Sequence, residues 1–457
     1  MTNVLTAALA VGGRVQGANV TFTRVVTDSR ALQPGDLFVA LAGERFDGHD
    51  FVAEALSRGA VAAMVAETRA AGLEGNLVVV ADTLSALGEL AAWWRRRFAP
   101  PLIAVVGSNG KTTVKEMIAT ILRAHFGDGA VLATQGNLNN AIGLPLTLLR
   151  LSIAHRAAVI EIGMNHPGET ARMAVIARPT VAVVNNAQRE HQEFMGSIGE
   201  VAHEHAALVR ALGAGGVAVL NADDAYVDVW RDAARDAGAT AIEFALAHPA
   251  AVRDRSLQTA QGGLLELSTP AGDATLRLVA PGRHNVANAL AAATATLAIG
   301  VPLVDVVRGL EGFRPVPGRL AEHVAASGAT VIDDTYNANP DSVRAAIAVL
   351  AARPAPRWLV LGDMGEVGSE GPAFHREAGS EARAAGIDAL FTTGLLAAEA
   401  TAAFGAGAAH FASADDLARH VAGQAAAGTT VLVKGSRFMR MERVVAALAA
   451  PAHEEAH

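Results

Sequence analysis

The stretch 104-AVVGSNGKTTVKEM-117 decides how the rest of the chain is read. An apolar run ends in Gly107, a Ser-Asn-Gly turn follows, and Lys111, Thr112 and Thr113 open a segment of helical period. In that strand–loop–helix setting, backbone N–H groups and the helix dipole together attract an anion. The common phosphate-loop pattern, G-x-x-x-x-G-K-[ST], requires a glycine where this chain has Val105. The shorter loop keeps the chemistry. Gly107, Ser108, Asn109 and Gly110 make the turn, Lys111 reaches the terminal phosphates, and the Thr112 hydroxyl takes a magnesium position. A glycine turn with a chance lysine is the plain alternative. Lysine usage argues against it, because only Lys111, Lys115 and Lys434 of the 37 Lys and Arg residues are lysines. A chain that uses arginine for generic positive charge keeps lysine where a compact ammonium is needed. The expectation is binding of a nucleoside triphosphate.

Around this loop the middle of the chain repeats one grammar. LIAVVG (102–107), AAVIEIG (157–163), TVAVVNN (180–186) and GGVAVLN (215–221) are continuous apolar runs ending in small or polar residues. Strands buried on both faces read this way, so a mostly parallel sheet wrapped by helices is expected, with ligands at the strands' carboxyl ends. Upstream, GDLFVALAG (35–43) and NLVVVAD (76–82) read as strands. HDFVAEALSRGAVAAMVA (49–66) is a helix running into a strand, and TLSALGELAAWWRRRF (83–98) is an amphipathic helix stopped by Pro100-Pro101. GFRPVPGRL (312–320) marks a second break, after which TVIDD, RWLVLGD, ALFTTG and TTVLVKGS resume the strand pattern. The fold class expected is α/β in three domains: a smaller N-terminal α/β domain over 1–99, a central P-loop parallel-sheet ATPase domain over 100–313, and a C-terminal Rossmann-like domain over 314–457. At 457 residues that agrees with a soft prior of roughly 150 residues per domain.

Composition removes several function classes. A net charge of −8 speaks against a nucleic-acid protein. The absence of cysteine excludes disulfides and thiolate zinc sites. No basic region precedes the apolar N-terminal run, so no signal peptide is expected. HNVANALAAATATLAIGVPLV (284–304) lacks charge, but its Asn, Thr, Gly and Pro make it a buried helix rather than a membrane span. No membrane span, a monomer and a cytoplasmic location are expected.

Further candidates need weighing. Glu161 interrupts AVIEIGMN at a strand end, where a buried acid needs a partner; magnesium or a structural partner would serve. His191, in NNAQREHQEF, is a lone loop histidine, and GNLNNAIGLP (136–145) reads as a turn cluster or a site loop. In DDTYNANPDSVRAAIAVLAA, Pro340 opens a helix with Asn339 at the cap position. Asp334, Tyr336 and Asn337 are more polarity than a cap requires. VLVKGSRFMRME (431–442) is a strand followed by a basic, hydroxyl-bearing turn, either a surface turn or a carboxylate site.

These residues resemble the Mur ligase family along essentially the whole chain. The matching stretches are TDSRALQPGDLFVALAGERFDGHDF, GSNGKTTVKEM, TQGNLNNAIGLP, IEIGMNHPGE, PGRHNVANALAAA, DDTYNANPDS, LGDMGEVG and VKGSR. The family uses the shorter G-x-x-G-K-T loop. Within it, the Asn-Ala-Asn-Pro and Gly-Asp-Met-Gly-Glu segments favour the member that joins D-alanyl-D-alanine to UDP-MurNAc-tripeptide. The resemblance implies an ATP- and Mg2+-dependent ligase working through an acyl phosphate. It implies that Lys111 and Thr112 bind phosphate and magnesium, and that Glu161 and His191 serve the metals. His284, Asn285 and Asn288 would form the nucleotide motif, Arg319 and Asp334 would close over ATP, and Ser29 and Arg30 would lie in the uridine-nucleotide region. Asn337, Asn339, Lys434 and Ser436 are candidate contacts for D-Ala-D-Ala. One position departs from the pattern. The family's carbamylated lysine falls at His205, with Glu204 as a candidate replacement carboxylate. The alternatives are an amide ligase of the folylpolyglutamate synthase type and a nucleotide-gated binding protein. The sequence leaves open whether the tripeptide ends in diaminopimelate or lysine.

Overall fold

The computed structural model describes every residue except Arg45, His191, 257–262 and 450–457. Among the described residues three large sheets follow one another along the chain. The first has five strands in the order Arg14–Gln16, Leu77–Val80, Ala62–Ala66, Asp36–Val39, Arg24–Val26. All neighbours are parallel except Arg14–Gln16 against Leu77–Val80. The helix Thr83–Arg95, capped by the Asp82 side chain, carries the chain out of this sheet.

The central sheet has nine strands, parallel from Val131–Ala133 to Val252–Asp254. Leu264–Thr269 and Gly272–Arg277 add an antiparallel edge. Leu102–Val106 lies between Val181–Val184 and Ala157–Glu161, so the loop after it opens where strand order reverses. Every residue of Leu102–Val106 is buried, which explains its unbroken apolar run. On one face, Lys111–Phe126 packs with Arg283–Ala298 and Leu303–Gly312. Arg283–Ala298 carries most of the uncharged stretch 284–304 as a helix inside the fold, and its alanines fill a close-packed interior. On the other face, Thr83–Arg95 packs against Glu169–Ala177 and Gly143–Leu148, so the first two sheets share a core. Arg95 seals the diproline junction by donating to the carbonyls of Phe98 at 2.6 Å and Ala177 at 3.0 Å.

The third sheet has six strands in the order Ala321–Val324, Thr330–Asp334, Thr430–Lys434, Arg357–Leu361, Ala389–Thr393, Ala408–Phe411. Only the first of them is antiparallel to its neighbour. Asp334 and Lys434 are register partners at the carboxyl ends of adjacent parallel strands. Among the described residues no helix is long and apolar enough to cross a membrane.

Candidate active site

The loop after Leu102–Val106 is held by the next strand's polar tail. Ser108 N–H donates to Asn186 O at 3.1 Å, and Asn109 N–H to Asn186 Oδ1 at 2.9 Å. Asn185 Nδ2 donates to Asn109 O at 2.8 Å and to Asn288 Oδ1 at 2.9 Å, and Asn288 Nδ2 donates to Asn285 Oδ1 at 3.0 Å. This amide chain ties the loop to the start of Arg283–Ala298, bringing together the two segments expected to hold nucleotide. Gly110 adopts φ +83° directly ahead of Lys111–Phe126, which leaves the helix's first N–H groups turned to the loop.

Thr112 and Glu161 meet as the sequence suggests. The Thr112 hydroxyl donates to Glu161 Oε2 at 2.7 Å, and Asn139 Nδ2 donates to Oε1 at 2.7 Å. Asn139 comes from the loop that sequence reading left between turn and site. Lys111 Nζ donates to the carbonyls of Gly107 and Ser108 and lies 3.2 Å from Glu190 Oε2. Lys115 is fully buried and bonds Thr134 O at 3.0 Å and its neighbour Glu116, a structural role. An oxygen-only donor set of a hydroxyl and carboxylates suits magnesium, which needs few protein ligands when phosphates and water supply the rest.

From the third sheet, Lys434 Nζ lies 2.6 Å from Asp334 Oδ2 and donates to Asn337 O at 2.9 Å. Burial pushes the Asp334 carboxyl up, while Lys434 pulls the other way. Burial, with the Lys434 charge second, brings the His284 imidazole down to about 4, so this ring is neutral near pH 7. Arg319 stacks its guanidinium 4.0 Å from the Tyr336 ring centroid. Asn339 accepts from Ser342 N–H at 2.8 Å as a helix cap, and its Nδ2 donates to Asn109 Oδ1 at 3.0 Å. Ser436 Oγ donates to Ala338 O and accepts from Gly365 N–H, so its hydroxyl ties three loops together.

A cavity of about 1520 Å³ runs along these groups and is lined from all three sheets' neighbourhoods, by Gly88 and Arg96, by Lys111 and Glu161, and by Arg319 and Asp334. Ser29 and Arg30 are not at its wall; Arg30 is an exposed partner of Asp28 at 2.8 Å. His191 lies outside the described residues. Glu204 requires correction. Its oxygens accept from Gly168 N–H at 2.9 Å and Thr170 N–H at 2.7 Å, which anchors the start of Glu169–Ala177, and Glu204 itself is not among the residues that line the cavity. Adjacent residues on a helix face different ways, so a carboxylate beside position 205 in sequence does not stand in for one at 205. Glu190, Asn139, Asn185 and Asn186 were missed as site residues. For Asn185 and Asn186 the available signal was polarity directly after a buried strand, and for Asn139 it was the Gly/Asn loop that contains it.

A shortened phosphate loop at a strand-order reversal, faced by a third α/β unit, defines a nucleotide-dependent enzyme whose parts close on one cavity. Three family models match in chain order: Mur ligase family, catalytic domain, over residues 21–95; Mur ligase middle domain over 105–296; and Mur ligase, glutamate ligase domain, over 318–437. The chain belongs to the Mur ligase family. It is 42% identical over 442 residues to the UDP-N-acetylmuramoyl-tripeptide–D-alanyl-D-alanine ligase of Escherichia coli (strain K12), covering 96% of each. It resembles a crystal structure of MurF from Acinetobacter baumannii at 34% identity and TM-score 0.91, covering 98% of each chain. MurF ligase from Thermotoga maritima, solved in complex with ADP, matches at 27% identity and TM-score 0.82, over 93% of this chain and 96% of that one.

Proposed function

We infer that this chain is an ATP-dependent ligase that joins D-alanyl-D-alanine to UDP-MurNAc-tripeptide, in the cytoplasm, as a monomer. The observation that carries this reading is one cavity that Lys111 and Glu161 reach from the central sheet and Asp334 from the third, in a chain similar over nearly its full length to ligases of that name. A carboxylate is a poor acyl donor at neutral pH, so the tripeptide's terminal carboxylate must first be activated. It attacks the γ-phosphate of ATP, giving an acyl phosphate and ADP; the dipeptide amine then attacks the carbonyl and phosphate leaves. The protein's contribution is alignment and charge neutralisation.

Lys111 would exchange its carbonyl partners for phosphate oxygens, and Gly107 to Thr113 would surround the polyphosphate. Thr112 and Glu161, with His191, are the residues that would hold Mg2+, which when bound draws charge off the transferring phosphoryl group. Asn285 and Asn288, tied through Asn185, would fix the nucleotide side, with His284 as a neutral neighbour. Arg319 and Asp334 would cover it when the third unit closes. Ser29 and Arg30 are proposed for the uridine nucleotide. Asn337, Asn339, Lys434 and Ser436 are proposed for the dipeptide region, although their side chains already bond one another's loops. The proposed domain limits are 1–99, 100–313 and 314–457.

The test mixes purified protein, ATP and magnesium with each acceptor and amine. Phosphate and ligated product should appear only when UDP-MurNAc-tripeptide and D-Ala-D-Ala are both present. Free D-Ala should be poorer by up to roughly 10⁴-fold, as where a site hydrogen-bonds its substrate. Equal use of free amino acids, or glutamate addition to a folate, would move the chain to a neighbouring ligase.

A further inference from the structure

We propose that Glu190 is the carboxylate that completes the metal–phosphate end of the nucleotide site in this chain, and that His205 is the positioning residue that holds it there. The inference rests on the nucleotide reading above and goes beyond it. Glu190 sits in the loop after Val181–Val184 and is 6% exposed, yet lies on the wall of the same cavity as Thr112 and Glu161. Its Oε2 is 3.2 Å from Lys111 Nζ and its Oε1 is 3.5 Å from His205 Nε2. His205 is 1% exposed on Ile198–Arg210, and its Nδ1 has no hydrogen-bond partner among the described residues. The ring therefore presents Nε2 as its polar atom, and that atom faces Glu190.

Lys111 is one of the groups that face the Glu190 carboxylate. With Lys111 drawn to phosphate oxygens, the buried Glu190 carboxylate on the cavity wall would stand beside a polyanion. Two like charges in a partly desolvated site repel strongly. A divalent cation between them converts that repulsion into attraction, and a carboxylate oxygen is a donor magnesium accepts. Imidazole at position 205 is a poor magnesium ligand, but it can steady the carboxylate in front of it. In this chain an ordinary glutamate, held from behind by a histidine, does what a modified side chain at 205 would otherwise do.

The proposal makes the sign of the effect depend on metal. The full-length protein is titrated with an ATP analogue that cannot be hydrolysed, first in EDTA and then with Mn2+ followed by paramagnetic resonance. Glu190→Gln should bind the analogue at least as tightly as wild type without metal, because a repulsive charge is gone. With metal it should hold Mn2+ at least about tenfold more weakly. Glu190→Asp should recover part of the Mn2+ affinity. His205→Ala should weaken Mn2+ by several-fold, and His205→Gln, which keeps a donor, should restore part of it. Wild-type affinity should not respond to removal of bicarbonate. Thermal melts of each variant separate these effects from misfolding. Unchanged Mn2+ affinity in folded Glu190→Gln, or bicarbonate-dependent metal binding in wild type, overturns the assignment. Failure of wild type to bind the analogue at all would instead overturn the nucleotide reading.

Discussion

Arg189 and Asp341 lock two sheets' neighbourhoods together: Arg189 Nη2 lies 2.7 Å from Asp341 Oδ1, and the Arg189 backbone N–H donates to Oδ2 at 2.8 Å. The same guanidinium reaches Glu377 at 2.8 Å. Asp341 stands in the first turn of the helix capped by Asn339, whose amide meets Asn109 of the phosphate loop. Glu190, next to Arg189 in sequence, meets Lys111 of the same loop. One junction thus carries both a charge clamp and direct contact with the nucleotide loop.

Arg189→Ala should therefore loosen the third unit on the central sheet. It removes the cation that ties Asp341 and Glu377 to the central unit, while Arg344, on the same helix as Asp341, still neutralises both carboxylates from their own side. Truncating one side of a hydrogen-bonded charge pair at an interface costs about 2 kcal/mol or more. That corresponds to roughly a 30-fold shift in the closed-to-open ratio. Small-angle scattering should give a larger radius of gyration, and KM for ATP should rise. An unchanged scattering profile together with an unchanged KM would refute the clamp.

Lys111→Ala should abolish turnover without unfolding the chain. Lys111 bonds two loop carbonyls and Glu190, none of which builds the core. Its loss removes the ammonium from a site where developing charge is held by fixed donors, worth roughly 10² to 10³ in rate. Lys111→Arg should not rescue, because a planar fork cannot replace a compact ammonium in a glycine turn. Phosphate release and a thermal melt, measured on the same preparation, decide this.

Much of this architecture was legible because buried parallel strands are written as unbroken apolar runs. Leu102–Val106, Ala157–Glu161, Val181–Val184 and Val217–Asn221 all fall inside runs read as strands. The edge hairpin Leu264–Thr269 and Gly272–Arg277 was not read. Leu264–Thr269 alternates exposed and buried residues and Gly272–Arg277 is mostly exposed, so no apolar run forms. The strand–turn–helix setting of residues 107–113, the strand-end position of Glu161 and the Asn339 cap were legible from local context. Glu190, Asn139 and Asn185 were not, because each acts through a partner 22 to 103 residues away. Only the fold brings those partners within bonding distance.

Docking of the third unit should weaken in acid. Burial opposes ionisation of Asp341, but the Arg189 hydrogen bonds and charge outweigh it and hold the carboxyl below its ordinary value. For Glu377 the Arg189 hydrogen bond is the leading cause of a downward shift. Carboxyls with lowered values in the docked state bind fewer protons there than when undocked. Their contribution is complete above the ordinary carboxylate range near pH 4 and is lost as pH falls through the lowered values. The radius of gyration of wild type should therefore rise below about pH 4, before the far-ultraviolet signal is lost. In Arg189→Ala that step should be absent. Identical acid profiles for the two proteins would show that other carboxylates govern the transition.

Gly110→Ala should damage both stability and nucleotide binding, and a second glycine separates the causes. Gly110 holds φ +83°, and an added Cβ would sit 2.4 Å from Asn288 Oδ1 and 2.6 Å from Asn185 Nδ2. Neither amide can withdraw freely, because they bond each other and Asn185 also bonds Asn109 O. The left-handed backbone costs an alanine roughly 1–2 kcal/mol. A buried amide left without its partner adds about 1–3 kcal/mol. Gly238 holds φ +64° with nothing within 4 Å of an added Cβ, so Gly238→Ala carries the backbone term alone. Gly110→Ala should melt lower than Gly238→Ala and lose ADP affinity, because the displaced amides are those that hold the loop and the start of Arg283–Ala298. Gly238→Ala should bind ADP as wild type does. If Gly110→Ala also bound ADP as tightly as wild type, the amide chain through Asn185 and Asn288 would not be what shapes the nucleotide loop.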